Sequence, residues 1–206
     1  MSNPTLVPSL AVAPALIGVG VVLGIVVLFG LFLISVYNRI VRLRVTCKES
    51  WSDIDTELQR RHDLIPNLIS TVKGYATHEK ELMEKVTELR NQAMQARNED
   101  PEKRAGVENM LEGSVGKLMA TAEAYPDLKA NQNFLELQKE LSETETRIAR
   151  ARRFYNANVR DFRTSIVTFP NSLIAGGFGI GSEEFSFFEA SAADREAVSV
   201  DASNFG

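Results

Sequence analysis

The sequence has very few of the residues from which most metal and redox sites are built. Only one of its 206 residues is cysteine and two are histidine. A single thiol cannot form an intrachain disulfide, and two histidines are too few for most metal sites. The patterns HExxH, CxxC and GxxxxGK[ST] are absent. The sequence therefore predicts no enzyme activity, no catalytic residue, no metal ligand and no cofactor.

A strong charge of one sign is missing as well. The whole chain carries a net charge of −4, residues 1–38 carry no charged side chain, and residues 171–206 carry −5. This leaves +1 for residues 39–170, so we expect no nucleic-acid partner. Glycine and proline number only 13 and 7, well below a disordered composition.

The most prominent feature is one long apolar run over residues 10–36. A bilayer core takes roughly 20 helical residues, so this run is long enough to span it. A cleavable signal peptide would have a basic start and an apolar run of only about 7–15 residues. We therefore predict a short N-terminal segment, 1–9, followed by a transmembrane anchor, 10–38.

The flanks of this run predict its orientation. The N-terminal side has no Lys or Arg, whereas the C-terminal side has Arg39, Arg42, Arg44 and Lys48. The positive-inside rule then predicts an outside N-terminus and a cytoplasmic remainder. Gly20 and Gly24 form a small-xxx-small pair that is typical of close helix packing in membranes.

Beyond the anchor, apolar residues recur at steps of three and four, which is typical of packed helices. Breaks in this pattern predict helices at about 39–76, 79–97, 101–124 and 128–167. The first stripe runs from Trp51 to Tyr75, and the third comprises Val107, Leu111, Ser114, Leu118 and Thr121. We predict an all-α fold in which the anchor leads into an elongated antiparallel four-helix bundle, 39–168, with an irregular C-terminal tail, 169–206.

The unequal helix lengths leave only two helices in the membrane-proximal half of this bundle. Residues 169–188 are rich in aromatic side chains, and their glycines argue against a regular helix. They fit a strap over the first and fourth helices, a contact with another subunit, or a contact with the membrane surface. Residues 189–206 are mostly small, polar or acidic.

The stretch RRHDLIPNL, residues 60–68, combines charges, an imidazole and a proline. His62 and Asp63 are adjacent and point to different sides of a helix, which argues against a catalytic pair. Arg61 falls on the apolar stripe, so its head is expected to reach a carboxylate. Pro66 predicts a kink, and Asn67 and His62 are candidates to bond the carbonyls that it frees. The candidate interface or bundle-pinning residues are Trp51, Arg60, Arg61, His62, Asp63, Pro66, Asn67, Phe169 and Phe178.

A basic cluster lies on the fourth predicted helix. It comprises Arg147, Arg150, Arg152 and Arg153. It fits a solvated face paired with Glu143 and Glu145, or a site for anionic lipid or an acidic partner.

Three segments carry a resemblance to a known family. ESWSDIDTELQRRHDLIPNLISTVKGYATHEKELMEKV, ARRFYNANVRDF and FPNSLIAGGFG resemble the LemA family of bacterial membrane proteins. The resemblance implies a single-pass anchor and an antiparallel helical bundle, with no established enzymatic activity. It also implies associations with intracellular membrane formation in magnetosome-forming bacteria and with a membrane metalloprotease.

Two hypotheses for function follow. In the first, the protein is a membrane-anchored helical scaffold that self-assembles and organises or remodels the bacterial inner membrane, with lipid and further copies of itself as partners. In the second, it is an adaptor or regulator of a membrane metalloprotease in envelope stress.

Overall fold

The computed structural model describes residues 9–76 and 78–189, with side chains from Leu16 onward. Every regular element in these residues is helical, which confirms the all-α fold. The helices are α1 (Ser9–Lys73), α2 (Lys80–Gln95), α3 (Pro101–Ala122), α4 (Pro126–Lys129), α5 (Gln132–Val167) and α6 (Asn171–Gly177). Short 3₁₀ turns lie at Ala96–Asn98 and Ser182–Glu184.

The predicted anchor and the first predicted bundle helix form one uninterrupted helix, α1. Its apolar residues from Leu16 to Ile34 remain exposed, and α1 is the one described helix that is long and apolar enough to cross a membrane. The part of α1 beyond residue 38 has 35 residues and α5 has 36, so each is roughly 50 Å long. The two helices run antiparallel, because Trp51 lies beside Tyr155 while Arg61 lies beside Glu145.

The core is divided into two apolar clusters along this long axis. The distal cluster joins α1, α2, α3 and α5 around residues such as Leu68, Leu89, Leu118 and Phe134. The proximal cluster joins α1 and α5 to the C-terminal segment around Ile40, Leu58, Phe162 and Phe188. Two helices alone bury little area, and the C-terminal segment supplies the apolar surface that the proximal half lacks.

Several expected details differ from the structure. α1 ends at Lys73, so Tyr75 falls outside the helix and is 42% exposed. In α3, Leu111 and Leu118 are buried as predicted, but Glu108, Val115 and Ala122 are buried instead of Val107, Ser114 and Thr121, because the charged Glu108 occupies a core position. The fourth predicted helix divides in two: α4 ends at Lys129, and α5 restarts where the Asn131 side chain accepts the amide of Phe134.

The described part of the C-terminal tail, residues 169–189, contains a short α-helix that its glycines did not predict. α6 ends in a Schellman motif, in which the Ile180 amide donates to the Ala175 carbonyl and the Gly179 amide donates to the Gly176 carbonyl. Gly179 has φ 67°, a left-handed conformation that favours glycine. The remaining glycines are tolerated because the helix is only 7 residues long and is held by its contacts with α1 and α5.

Candidate functional site

A buried layer of charged side chains separates the two apolar clusters. It consists of Arg61 and His62 on α1, Arg104 and Glu108 on α3, and Glu145 on α5. Apart from Glu145, each of these residues is at most 2% exposed. Charges are rarely buried so completely unless they are paired, so the geometry of these pairs decides whether the layer is stable.

Arg61 is the centre of the layer. Its Nη1 atom donates to both carboxylate oxygens of Glu145, at 3.0 and 3.1 Å, and its Nη2 atom donates to Glu108. His62 Nε2 lies 3.1 Å from the same oxygen of Glu108, so the tautomer protonated at Nε2 satisfies this contact. The two neighbouring residues of α1 therefore share one carboxylate of α3, and Arg61 also connects α1 to α5.

Arg104 extends the layer toward the proximal cluster. Its Nη2 atom donates to Asp55 at 2.7 Å, and its guanidinium lies 5.4 Å from the centroid of the Trp51 ring. Its Nε atom is 3.7 Å from Glu108 Oε1, which is an ion pair but too long for a hydrogen bond. Glu108 Oε1 and the Nε atoms of Arg61 and Arg104 are therefore buried without a hydrogen-bond partner. The layer is tightly paired but not completely satisfied.

Pro66 has a structural role that the sequence only partly revealed. A proline inside α1 has no amide hydrogen, so the carbonyl four residues earlier, that of His62, loses its helical partner. Arg90 of α2 donates its Nε–H to this carbonyl at 2.6 Å. The expected donors to the freed carbonyls, the Asn67 and His62 side chains, are not the ones used: Asn67 is exposed, and His62 contacts Glu108. The stretch RRHDLIPNL thus connects α1 to α2, α3 and α5.

Burial and pairing oppose each other in setting the charge states of the layer. Burial alone would raise the pKa of Glu108, but His62 and Arg61 outweigh it and hold that pKa below its usual value. Burial would lower the pKa of Arg61, and Glu145 and Glu108 raise it instead. For Glu145, burial raises the pKa and Arg61 offsets only part of the effect. Burial would raise the pKa of Asp55, but hydrogen bonds from Arg104 and Arg97 lower it.

The remaining candidates in RRHDLIPNL do not join the layer. Arg60 is exposed and lies 3.9 Å from Glu57 of the same helix. Asp63 is also exposed, and it accepts a hydrogen bond from Gln59 at 2.9 Å. Both contacts lie on the outer face of α1, so the structure gives these two residues no role in joining helices.

A second polar cluster fixes the C-terminal segment to α5. We call residues 180–188 the strap. Asn156 accepts the Phe188 amide at 2.9 Å, Tyr155 donates to the Ser186 carbonyl at 2.9 Å, and Arg163 donates to the Phe185 carbonyl at 2.7 Å. The strap therefore packs on its own chain, by the first of the three interpretations considered for the tail.

Trp51 joins the strap to the ionic layer. Its ring centroid is 5.2 Å from that of Tyr155 and 5.5 Å from that of Phe188, and Arg104 lies over its face. The other two aromatic candidates lie outward. Phe169 is 76% exposed, and Phe178 is 65% exposed while its ring centroid lies 4.7 Å from that of Tyr37. Phe169 therefore pins nothing within the bundle.

The membrane-flanking basic residues follow α1 as it leaves the apolar run. Arg39, Arg42 and Lys48 are exposed, while Arg44 forms an ion pair with Glu184 of the strap. In the apolar run itself, a Cβ added to Gly20 or Gly24 would meet no atom, so both positions present open helix surface.

The sequence did not indicate which residues pair with α1 in this site. The donors to α1 are Arg90 and Arg104, and the acceptors are Glu108 and Glu145. The available signal was the pair Arg104 and Glu108, which lie four apart and in phase with Leu111, at core positions of α3. Across the described ranges 9–76 and 78–189, no group of three or more His, Cys, Asp or Glu side chains has the arrangement of a metal site.

The fold and these contacts define an all-α, membrane-associated protein whose buried polar residues connect helices. Residues 50–201 match the model of the LemA family. The chain belongs to the LemA family. It is 29% identical to Protein LemA of Metamycoplasma hominis over 168 residues, covering 81% of this chain and 74% of that protein.

Two magnetosome proteins are also similar to the chain. Magnetosome protein MamQ 2 of Paramagnetospirillum magneticum is 25% identical over 197 residues, covering 84% of this chain and 72% of that protein. Magnetosome protein MamQ of Magnetospirillum gryphiswaldense is 23% identical, covering 79% of this chain and 68% of that protein. The chain is therefore a membrane-associated protein of the LemA and MamQ type.

Proposed function

We propose that the protein is a membrane-anchored helical scaffold that self-assembles and organises or remodels the bacterial inner membrane. The observation that carries this proposal is the continuity of α1 from the apolar run into the bundle. The ionic layer and the strap fix α1 to the other helices on both sides of Trp51. A bundle joined to its anchor in this way holds a defined direction relative to the bilayer, as a scaffold requires.

The similarity to magnetosome proteins supports a role at membranes, and the open surface at Gly20 and Gly24 supports contact between anchors. The positive flank of the anchor favours an outside N-terminus and a cytoplasmic bundle. The partners in this proposal are membrane lipid and further copies of the chain.

Light scattering and electron microscopy of the full-length protein test the proposal. We expect particles larger than a monomer in detergent and a changed outline of reconstituted vesicles. The double variant Gly20→Leu/Gly24→Leu should shift the particles toward monomers, whereas Val21→Leu, a matched change in the same helix, should not. A wild-type protein that is strictly monomeric in detergent and leaves vesicles unchanged would refute a self-assembling scaffold.

A second function, adaptor or regulator of a membrane metalloprotease in envelope stress, is favoured by part of the basic cluster on α5. Arg147 is paired with Glu57 at 2.9 Å and Arg152 donates to Asn109 at 3.3 Å. Arg150 and Arg153 are exposed and form no ion pair with the described residues. Photocrosslinking from position 153 in native membranes should recover the metalloprotease, and Arg150→Ala should reduce the yield. Recovery of lipid alone would exclude this function.

A further inference from the structure

At one end of the bundle, the start of α1, the end of α5 and the whole of α6 have no charged side chains. The first charge of α1 is Arg39, the last charge of α5 is Arg163, and the next charge after α6 is Glu183. Residues 1–38 and 164–182 contain no charged side chain. The intervening turn and α6 therefore continue the uncharged zone in which the anchor lies.

The contacts place these segments at a common level. Val36 and Ile40 of α1 share the proximal apolar cluster with Phe162 and Ile166 of α5 and with Ala175 of α6. On the charged side of this level, Arg44 pairs with Glu184. The end of α5 and all of α6 consequently lie beside the point at which the apolar run of α1 ends.

The two sides of α6 have different surroundings. Ala175 is 2% exposed and Ile174 packs against the proximal cluster. On the other side, Leu173 is 69% exposed, and the flanking Phe169 and Phe178 are 76% and 65% exposed. We call these three outward side chains the α6 tip. Large exposed apolar side chains in a segment without a charged residue are unusual on a surface that faces water.

We propose that the α6 tip inserts into the bilayer interface beside the anchor, as a second membrane contact of the chain. The Phe178 ring packs at a tilt against that of Tyr37, the residue that follows the apolar run, and aromatic side chains are typical of this depth. The apolar surface of α1 continues through this ring pair onto the tip, so the bilayer that surrounds α1 also reaches the tip.

The backbone restricts the depth of insertion. Non-helical backbone is not tolerated in the hydrocarbon core when it faces lipid, and the turn between α5 and α6 is irregular. Its amides are partly satisfied locally, as where Ser172 donates to the Thr168 carbonyl at 3.0 Å. The tip therefore lies at the boundary between headgroups and acyl chains, roughly 5–10 Å deep, as interfacial helices do.

Insertion of the tip would enlarge the leaflet from which the bundle emerges. This consequence adds a means of bending the membrane to the proposed scaffold, while the insertion itself depends only on the anchor and not on self-assembly. The two proposals can therefore fail separately.

The experiment uses the full-length protein with Leu173→Cys labelled by an environment-sensitive fluorophore. Cys47 is fully buried and burial raises its pKa to about 11, so the engineered thiol reacts selectively. Leu135→Cys is the matched control, because Leu135 is an exposed leucine near the distal end of α5. Both variants are placed in nanodiscs of phosphatidylethanolamine and phosphatidylglycerol that hold one copy each.

We expect a blue-shifted emission at position 173, loss of quenching by aqueous iodide, and quenching by nitroxides placed shallowly on the acyl chains. Position 135 should be quenched by iodide and not by the lipid nitroxides. Equal iodide quenching at the two positions in single-copy nanodiscs would overturn the proposal. Protection of position 173 that occurs only when several copies share a membrane would overturn it too, and would assign the α6 tip to a contact between copies.

Discussion

Removal of the Glu108 carboxylate should destabilise the bundle more than any exposed substitution does. Glu108 is 1% exposed and is the shared partner of Arg61 and His62, which are 1% and 2% exposed. In Glu108→Leu, Arg61 retains Glu145 but becomes a partly uncompensated buried charge. Breaking a buried pair in this way costs about 3–5 kcal/mol of unfolding free energy.

Compensation provides the sharper part of this prediction. In the double variant Arg61→Met/Glu108→Leu both charges are replaced by apolar side chains of similar length, and such replacements are often neutral or stabilising. We therefore expect the double variant to be more stable than Glu108→Leu alone. Glu145 is 30% exposed and can be hydrated when it loses its partner.

Denaturant unfolding of the full-length protein in detergent, followed by tryptophan fluorescence, measures these differences. Trp51 is the single tryptophan, and it lies next to the layer and against the strap. Arg60→Met is the matched control, because it removes an exposed arginine from the same turn of α1 and should change the free energy by at most about 0.5 kcal/mol. A cost below about 1 kcal/mol for Glu108→Leu, or a double variant whose cost equals the sum of the single costs, would refute the reasoning.

Three further predictions concern the contacts of this layer and of the strap. Arg90→Met should lower the unfolding free energy by about 1–3 kcal/mol in the same assay, because it leaves the His62 carbonyl unpaired. Adding Pro66→Ala should restore part of this stability, since residue 66 then has an amide hydrogen, and no restoration would contradict the assigned role of Arg90. Asn156→Leu removes one acceptor and one donor of the strap, so limited proteolysis should cleave the C-terminal segment faster, whereas unchanged cleavage would mean that the hydrogen bonds of Asn156 do not hold the segment. The folded structure lowers the pKa of the Glu108 carboxyl, so this group stabilises the fold at pH values above its unfolded-state pKa. That stabilisation is lost as the pH falls through the folded-state pKa, so Glu108→Gln should lose less stability on acidification than the wild type. The pKa of Glu145 is raised, so acidification stabilises the fold through this group, and Glu145→Gln should lose more stability on acidification than the wild type. The same acid response in all three proteins would contradict both pKa shifts.

Helix periodicity and breaks predicted the all-α class well, and each exception has a physical cause. The division between α4 and α5 depends on one side-chain cap at Asn131, which no glycine or proline signals. The stripe of α3 was displaced because Arg104 and Glu108 occupy core positions that a search for apolar residues passes over. The short helix α6 was not expected, since its stability comes from packing on α1 and α5 rather than from propensity.

The sequence by itself determined properties that depend on nearby residues: the apolar run, the helical class, the positively charged flank of the anchor and the absence of familiar catalytic motifs. Only the tertiary structure decided which carboxylates receive Arg61 and His62, which donor satisfies the carbonyl freed by Pro66, and that the strap packs on its own chain. The physical reason is that these contacts join residues far apart in sequence, up to 84 positions for Arg61 and Glu145. Local spacing can show that a buried charge needs a partner, but only the packing of the helices selects that partner.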